Sequence, residues 1–476
     1  MNGNDIGIIG LAVMGRNLVL NVADKGFAVA AFNRTASVTQ EFASSLGPNQ
    51  RVTPLYSLGE FADSLKRPRV VMLMVMAGAP VDAVIGQVEP FLEPGDIIID
   101  GGNSNFMDTE RRGKALLQKG LNFFGVGISG GEFGARYGPS LMPGGPRDAY
   151  PVIRPILEAV AARADDGSPC VAYLGPGAVG HFVKMVHNGI EYGVMQLISE
   201  TYALLKELLG YSNDQLADTY QEWHSGELNS YLVEITSHIF RKRDEDTRRF
   251  LVDTILAEAG QLGTGQWTSQ SAMELHVPVP NIDIAVGMRS LSALVEERKA
   301  ARQLLGTSTR DSRTGTTGLK PESVRGALFA AVILTYAQGF ALLQTASAKL
   351  GFGVTLRDVA AVWRAGCIIR SALLPRFMEV FERTPELSNL LLDKAIAEEG
   401  ISRRPDLAAC TTAAMSAGVP VPGLANALAY VDAYRAEWWP FSLVQAQRDY
   451  FGSHEYRRID REGLFHTDWQ PDEQKG

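Results

Sequence analysis

The feature that most restricts how this sequence can fold is a series of short, almost wholly apolar runs in its first ~175 residues. The runs are IGIIG, VAAFNRT, VVMLMVM, IIID, FFGVGIS and CVAYLGP, each followed by glycine or polar turn residues and separated by helix-like patterns. Runs of this kind are typical of strands buried on both faces of a parallel sheet. Since parallel strands need helical crossovers, the alternation predicts an α/β domain in residues 1–178.

Composition limits the partners of the chain. Its 476 residues are 46% hydrophobic and 21% charged, which is ordinary for a globular protein of more than one domain. The formal net charge is −8, and the resulting field would repel nucleic acid and anionic membrane surfaces. We therefore expect neither as a partner, and an anionic substrate would need a locally basic pocket.

Cysteine usage and the N-terminus indicate a cytoplasmic location. Cys170, Cys367 and Cys410 are widely separated and none belongs to a CxxC pair, so neither a disulfide framework nor a metal site is expected. The chain enters the apolar run Ile6–Ile9 without a basic leader. The most apolar stretches carry charges or glycines well inside the ~18 residues of a membrane span, so none is predicted.

From Val179 onward the pattern becomes helical. Apolar residues at helical spacing and the absence of proline predict a long helix from Val179 to Leu209, with Gly210 as its stop. Helical patterns continue to about residue 435, which predicts an all-α domain in residues 179–436. The segment 437–476, with WWPFSLVQAQRDYFGSHEYRRID, is rich in aromatic and basic residues, and we expect it to be a tail that packs on a partner subunit.

A weak internal duplication is visible within the helical region. The segment from Tyr192 through WHSGELNSYL is similar to the segment from Tyr336 through WRAGCIIRSALL. Trp223 and Gly226 of WHSG match the Trp and Gly of WRAG. Two related helical units packed together would explain the similarity.

The first apolar run leads into a dinucleotide-binding fingerprint. Gly10, Ala12 and Gly15 form a GxAxxG pattern between the first predicted strand and the first predicted helix. The small residues permit a tight turn and close approach of a pyrophosphate, which the helix N-terminus would hold. The pattern predicts a Rossmann-like dinucleotide-binding domain.

The end of the second strand indicates which dinucleotide binds. Asn33, Arg34 and Thr35 stand where an NAD-binding chain usually has an acidic residue for the ribose. An arginine there suits the 2′-phosphate of NADP, so NADP is the predicted cofactor and NAD a weaker possibility. The alternative is a polar loop in which Thr35 or Asn33 caps the next helix.

Two further loops follow strands and would meet at the same edge of the sheet. IIIDGGNS offers Asn103, and GVGISGGEFGARYGPSLMPGG offers Ser129, Gly130 and Gly131. Paired glycines expose backbone N–H groups that suit a carboxylate. Simple turn glycines are the alternative for either loop.

The sequence KMVHNGIEY carries the best candidates for chemistry. Lys184, Asn188 and Glu191 lie at i, i+4 and i+7, on one face of the long helix, with Tyr192 at its margin. Burying a lysine and a carboxylate without purpose is costly, although a structural ion pair between them is an alternative. The duplicate places Leu328, Val332 and Thr335 at the equivalent positions. The same unit therefore packs without these polar groups, which favours a function for the first copy.

Together the fingerprint, FNRT, DGGNS, SGGEFGARYGPSLMPGG, KMVHNGIEY, GCIIRS and QRDYFGSHEY resemble the 6-phosphogluconate dehydrogenase family in its long form, over nearly the whole chain. The resemblance implies a Rossmann-like domain, a duplicated helical domain and a tail that reaches into the partner of a homodimer with shared active sites. It also implies NADP-dependent oxidation at C3, loss of CO₂ and formation of a ketopentose, with Lys184 as the base, Glu191 as the acid and Asn188 beside them.

The resemblance also implies the binding residues. Those for the cofactor are Gly10, Ala12, Val13, Met14, Gly15, Asn33, Arg34, Thr35, Val75, Met76, Ala77 and Asn103. Those for the substrate are Asn103, Ser129, Gly130, Gly131, His187, Tyr192, Leu262 and Arg289, with Arg448 and His454 from the other subunit. No metal is implied.

Three positions depart from the family pattern. Leu262 and Gln266 stand where lysines are usual, and Met76 replaces a lysine on the cofactor side. Losing a charged donor to phosphate should cost about 1.5–3 kcal/mol. Either another basic residue compensates, or the distal group is a sulfonate, as in 6-sulfogluconate, or is absent. A silent nucleotide-binding scaffold, and a β-hydroxyacid dehydrogenase that does not decarboxylate, remain alternatives.

Overall fold

The computed structural model describes residues 3–48, 50–306 and 318–469. The chain forms two compact units, Met1–Ala427 and Leu428–Gly476. The sheet and most of the helical region share the first unit because the helix that begins at Val179 packs directly on the sheet. The domain limits drawn after residues 178 and 436 remain predictions.

A seven-stranded sheet organises the N-terminal part of the first unit. The strands are β1 (Ile6–Ile9), β2 (Val29–Phe32), β3 (Val52–Leu55), β4 (Val70–Leu73), β5 (Ile97–Asp100), β6 (Asn122–Ser129) and β7 (Ser140–Gly144). Their order is β3-β2-β1-β4-β5-β6-β7, parallel throughout except for β7. The order reverses between β1 and β4, which makes their carboxyl ends a ligand-binding crevice. The predicted α/β Rossmann-like fold is confirmed.

The sequence prediction was wrong at two edges of this sheet. The run CVAYLGP is not a strand, since Val171 forms only an isolated bridge with Leu141. Pro143 of β7, which accepts a hydrogen bond from Leu174 N, has no N–H with which to continue a ladder. Strand β3 was missed because it is only partly buried, has no continuous apolar run and contains Pro54, which only an edge strand tolerates.

Seven helices flank the sheet. They are α1 (Val13–Asp24), α2 (Ala36–Ser44), α3 (Leu58–Asp63), α4 (Ala79–Val88), α5 (Phe106–Leu117), α6 (Gly131–Tyr137) and α7 (Tyr150–Val160). Buried apolar side chains form one core cluster on each face of the sheet, as expected for strands covered on both sides.

The rest of the described chain is helical. Its helices are α8 (Val179–Ala203), α9 (Asn213–His224), α10 (Tyr231–Arg241), α11 (Thr264–Glu274), α12 (Pro280–Ala293), α13 (Val295–Leu305), α14 (Pro321–Leu350), α15 (Leu356–Val362), α16 (Leu374–Arg383), α17 (Lys394–Ser402), α18 (Arg404–Ser416), α19 (Pro422–Tyr434) and α20 (Phe441–Gly452). A π-helical turn, Leu204–Leu208, extends α8, and Gly210 follows in a left-handed conformation. The predicted long helix and its stop are thus confirmed.

Helices α8 and α14 pack on each other and begin the two duplicated units. Helix α14 is long and apolar enough to cross a membrane by composition, but its most apolar window is entirely buried inside the protein. The two copies also meet through an antiparallel bridge between Ser230 and Ser371, which lie at nearly equivalent positions of the repeats. This arrangement agrees with an internal duplication.

Glycines allow α8 to approach the sheet. A Cβ atom on Gly180 of α8 would lie 2.2 Å from the carbonyl oxygens of both Gly125 in β6 and Met142 in β7. A Cβ on Gly127 would lie 2.4 Å from Cβ of Lys184. The contact between helix and sheet therefore depends on the absence of side chains at both positions.

We expect Gly180→Ala to lower the free energy of unfolding by about 1–3 kcal/mol or more, because the obstructing atoms are backbone oxygens held in the sheet. Gly86→Ala is the matched control, since Gly86 also lies inside a helix, α4, with nothing within 4 Å of the added methyl group. The control should gain roughly 0.5–1 kcal/mol from helix propensity. Thermal unfolding followed by circular dichroism compares the two, and equal melting temperatures would contradict the close-packing argument.

Candidate functional site

The dinucleotide fingerprint forms the predicted turn between β1 and α1. Gly10 has a φ of 105°, and a Cβ atom there would lie 2.4 Å from the carbonyl oxygen of Met74. A Cβ on Gly15 would lie 1.9 Å from the carbonyl oxygen of Gly10. Ala12, the N-cap of α1, gives no side-chain hydrogen bond to the first turn. The first N–H groups of α1 therefore suit an anion such as a pyrophosphate.

A groove runs over this turn at the edge where β1, β2 and β4 end. Predicted cofactor residues in its lining are Gly10, Ala12, Asn33, Arg34, Thr35, Val75 and Met76. Val13 and Met14 begin α1, Gly15 lies beneath the turn, and Ala77 follows Met76; these four and Asn103 are not part of the groove lining. The sequence analysis missed the apolar wall formed by Leu58, Ala79, Pro80, Ala83 and Val84. The sequence feature that could have indicated this wall is the i, i+3, i+4 spacing of small residues along α4.

The loop after β2 is held by Asn33 and leaves Arg34 exposed. The Asn33 side chain accepts a hydrogen bond from Leu11 N at 3.1 Å, and Asn33 N donates to Thr39 Oγ1 at 3.1 Å. Thr35 is the N-cap of α2 but makes no side-chain cap hydrogen bond, so the capping alternative is not supported. Among the residues that the structure describes, Arg34 has no acidic partner, which leaves its guanidinium available to a phosphate.

The loop after β5 is fixed from below by Asp100. This buried carboxylate accepts hydrogen bonds from Gly102 N at 3.0 Å and Ser104 Oγ at 2.6 Å, with Arg112 Nη1 3.5 Å away. The loop thereby exposes Asn103 at the carboxyl edge of the sheet. The role of Asp100 in holding this loop was not predicted from the sequence. The feature that could have indicated it is an acidic residue at the end of an otherwise apolar run.

A chain of polar contacts joins β6 to α8. His187 is fully buried, with Nε2 3.1 Å from Ser129 Oγ and Nδ1 2.9 Å from Asn188 Oδ1. Lys184 Nζ lies 3.4 Å from His187 Nδ1. Asn188 donates in turn to Thr264 Oγ1 at 3.1 Å, a contact that could not be predicted from local sequence because the two residues lie 76 positions apart. Strand end and helix therefore present these predicted residues as one connected group.

Burial sets the protonation of this group. It lowers the pKa of Lys184, against the opposing attraction of Glu191. It also lowers the pKa of His187 well below its usual value, an effect to which the charge of Lys184 adds. The pKa of Glu191 is raised, again mainly by burial, although Lys184 and Arg289 oppose the shift. A lysine that favours the neutral form thus lies near a carboxyl group that favours the protonated form.

The alternative of a structural ion pair is not supported. Within the described ranges, no carboxylate lies within 4.0 Å of Lys184 Nζ, and the near contact of Glu191 Oε2 is with His187 Nδ1 at 3.8 Å. The equivalent positions in the second copy, Leu328, Val332 and Thr335, are buried in α14. On one helix face, a carboxyl group with a raised pKa can give a proton and an amine with a lowered pKa can accept one.

At the other end of this face, Arg289 covers Tyr192. The guanidinium carbon lies 3.5 Å from the centroid of the tyrosine ring, and Arg289 Nη1 donates to Gly260 O at 3.0 Å. Leu262, two residues further along the chain, is 87% exposed. Leu262 thus places an apolar side chain in solvent at a position where the family pattern has a lysine. Gln266, the second such position, is also exposed and uncharged.

Gly130 and Gly131, which follow β6 as the N-cap and first residue of α6, have φ angles of 123° and 61°, so both positions favour glycine for conformational reasons. A Cβ on Gly130 would also lie 2.6 Å from the carbonyl oxygen of Gly366.

Arg448 and His454 lie in the second unit, in and just after α20, and both are exposed there. No group of three or more potential metal ligands occurs among the described residues.

Comparisons with known proteins agree with this architecture. Residues 5–175 match the NAD binding domain of 6-phosphogluconate dehydrogenase, and residues 180–469 match the C-terminal domain of the same enzyme. The chain is 50% identical over 98% of its length to the whole NADP(+)-dependent, decarboxylating 6-phosphogluconate dehydrogenase of Bacillus subtilis. It is 48% identical, with the same coverage, to the decarboxylating enzyme of Escherichia coli.

A solved structure gives the same result. Plasmodium falciparum 6-phosphogluconate dehydrogenase, determined in its apo form and in complex with NADP+ and with 6-phosphogluconate, superposes with a TM-score of 0.93 at 42% identity. The match covers 98% of this chain and 100% of the other. With two family domains matched in order and close similarity over the full length, this chain belongs to the 6-phosphogluconate dehydrogenase family.

Proposed function

We propose that this protein catalyses the oxidative decarboxylation of 6-phosphogluconate to ribulose 5-phosphate and CO₂ with NADP+ as oxidant. The observation that carries the proposal is the presence on one face of α8 of a buried lysine with a lowered pKa and a partly buried carboxyl group with a raised one. Relatives about half identical over their whole lengths are named for this reaction. The intact pair also argues against a catalytically silent scaffold.

The residues divide the proton transfers between them. Neutral Lys184 accepts the proton of the C3 hydroxyl while the nicotinamide of NADP+ supplies the hydride acceptor. The resulting 3-keto acid loses CO₂ because its carbonyl takes up the electron pair of the broken bond. Lys184 returns its proton to the C3 oxygen to give an enediol. Protonated Glu191 then donates a proton to C2 while Lys184 takes the C3 hydroxyl proton back, which gives the ketopentose. Each group works best when its pKa is close to the operating pH, and burial moves both pKa values in that direction.

The groove residues fit NADP. The uncapped start of α1 suits the pyrophosphate, the apolar wall on α4 suits the adenine, and exposed Arg34 suits the 2′-phosphate. Ser129, Asn103 and Asn188 would hold the substrate carboxylate and the nicotinamide, while His187, with both ring nitrogens engaged, would keep Lys184 in place.

The second unit supports a homodimer with shared active sites. Its exposed large apolar side chains include Trp438, Phe441, Leu443, Tyr450 and Phe451, more than a solvated surface favours. We expect a second copy of the chain to bury these apolar side chains. In such a dimer, Arg448 and His454 of one subunit would reach the substrate phosphate beside Tyr192 and Arg289 of the other. The three cysteines are free and buried, which fits a cytoplasmic location.

A second candidate substrate is favoured by Leu262. An exposed leucine at a phosphate-binding position provides no charge for a dianion. A sulfonate carries one negative charge and needs fewer cations, so 6-sulfogluconate could undergo the same oxidation and decarboxylation. An assay of NADPH and CO₂ formation with both substrates side by side distinguishes the two. Equimolar products from 6-phosphogluconate at a clearly higher kcat/KM support the first candidate.

We expect kcat/KM to depend on pH as a bell-shaped curve. The rate falls below the lowered pKa of Lys184, where the base is protonated, and above the raised pKa of Glu191, where the acid is ionised.

Glu191→Gln should reduce kcat about 10²–10⁴-fold. It should also remove the alkaline limb, because an amide has no proton to lose above the raised pKa of Glu191. Glu274→Gln, an exposed change on α11, is the control. An alkaline limb that persists in Glu191→Gln would contradict the assignment of Glu191 as the acid.

Arg34 should determine the preference for NADP over NAD. Arg34→Ala removes a charged donor to the 2′-phosphate, so KM for NADP+ should rise about tenfold or more while kcat/KM with NAD+ changes little. Arg51→Ala, which removes an exposed arginine outside the groove, should leave both values unchanged. Steady-state kinetics with the two cofactors measure the effect. Parallel losses with both cofactors would show that Arg34 does not read the 2′-phosphate.

Leu262→Lys should restore a cation for the distal anion. If 6-phosphogluconate is the substrate, its KM should fall about tenfold, with a smaller change for 6-sulfogluconate. Leu304→Lys is the matched control, because Leu304 in α13 is 85% exposed and the net charge changes equally. A lowered KM in both variants would mean that long-range charge, not a local contact, is responsible.

A further inference from the structure

One buried carboxylate organises the second unit. The side chain of Asp449 on α20 has no exposed surface and meets four donors. Its Oδ1 accepts from Glu455 N at 2.9 Å and lies 2.9 Å from His466 Nδ1. Its Oδ2 accepts from Thr467 N at 3.0 Å and Trp469 Nε1 at 2.8 Å. Both ends of the segment that follows α20 are therefore fixed to a single side chain.

Asp449 is held in its charged form by these donors. Burial by itself would raise the pKa of the carboxyl group, but the hydrogen bonds from His466, Thr467, Trp469 and Glu455 together bring the pKa below its usual value. A carboxylate has acceptor positions for all of these donors, whereas an asparagine of the same shape would turn an NH₂ group toward two of them.

The residues around His454 have an unusual backbone. Ser453 and Glu455, the two neighbours of His454, have φ angles of 49° and 55°. Left-handed conformations are uncommon for such residues and persist where surrounding contacts enforce them. Here Ser453 N donates to Asp449 O at 3.0 Å and Glu455 N donates to the Asp449 carboxylate. Asp449 thus holds the turn that presents the imidazole.

Arg448 belongs to the same arrangement. Its Nη1 donates to Gln445 Oε1 at 3.0 Å, and Gln445 Nε2 donates in turn to Glu455 O. One turn of α20 therefore links the arginine to the backbone beside His454. Both basic side chains are exposed, and their mutual position depends on these internal contacts together with the edge-on contact of the His454 ring with Phe451, whose centroids are 5.9 Å apart.

We propose that Asp449 is a positioning residue that holds Arg448 and His454 together as a preformed site for the distal anion of the substrate. The inference rests on the proposed function, which assigns the two basic residues to the substrate phosphate. Asp449 itself does not touch the substrate. Its removal should weaken substrate binding through the geometry of its neighbours and leave the cofactor groove, which lies in the other unit, unaffected.

The first test compares Asp449→Asn with Asp460→Asn in the full-length protein. Asp460 is an exposed carboxylate of the same unit, paired with Arg458 at 2.7 Å, so the same chemical change there disturbs only a surface contact. We expect Asp449→Asn to raise KM for 6-phosphogluconate about tenfold or more, with KM for NADP+ unchanged. A KM within about twofold of that of the control would overturn the proposal.

A second measurement separates positioning from a general structural role. In a background that carries Arg448→Ala and His454→Ala, Asp449→Asn should change KM less than about twofold, because its effect acts through the two residues already removed. An equally large rise in KM in that background would show that Asp449 does not act through Arg448 and His454.

Should Asp449→Asn fail to fold, Trp469→Phe removes one donor and keeps the carboxylate. It should raise KM about threefold, and an unchanged KM would count against the proposal.

Wild-type turnover keeps this test distinct from that of the proposed function. A wild-type protein that forms no NADPH and CO₂ from 6-phosphogluconate would refute the function. Normal wild-type turnover with an unaffected Asp449→Asn variant would refute only the role of Asp449.

Discussion

The close contact between α8 and the sheet is the constraint on which the rest of the site depends. Because Gly180 has no side chain, the helix can lie directly against backbone oxygens of β6 and β7, and because Gly127 has none, Cβ of Lys184 can approach the strand. This contact brings a helix face to the carboxyl edge of the sheet, where open α/β folds bind ligands. It also lets the end of β6 reach that helix, through Ser129 and His187.

The same packing produces the electrostatics of the site. The buried amine of Lys184, the buried imidazole of His187 and the largely enclosed carboxyl group of Glu191 all have pKa values shifted in favour of the neutral form, since burial penalises charge. A direct ion pair would have cancelled these shifts by stabilising both charges, but the carboxylate approaches His187 and not the amine. The separation of Lys184 from the carboxylate therefore leaves burial as the main influence on both groups, lowering the pKa of Lys184 and raising that of Glu191.

Much of this architecture could be predicted because local sequence and global fold agree. The turn at Gly10 and the long helix carrying Lys184 follow from rules of spacing and steric size that operate within a few residues. The failures have a different origin. Whether CVAYLGP forms a strand is decided by Pro143, a residue of the neighbouring strand, and the partner of Thr264 is Asn188 on α8. Contacts between distant segments of this kind leave little trace in one sequence.

The positions that depart from the family pattern are found where the fold places the fewest packing constraints on the side chain. Lys184 and His187 are enclosed by sheet and helix, so a change there disturbs packing and protonation together. Leu262 and Met76 are exposed by 87% and 76%, and no neighbouring contact determines their identity. Replacement at such positions alters the charge available to a ligand without a cost in stability. The residues proposed for proton transfer are therefore constrained by the interior of the protein, whereas exposed Leu262, at the position expected to meet the distal anion, can change independently.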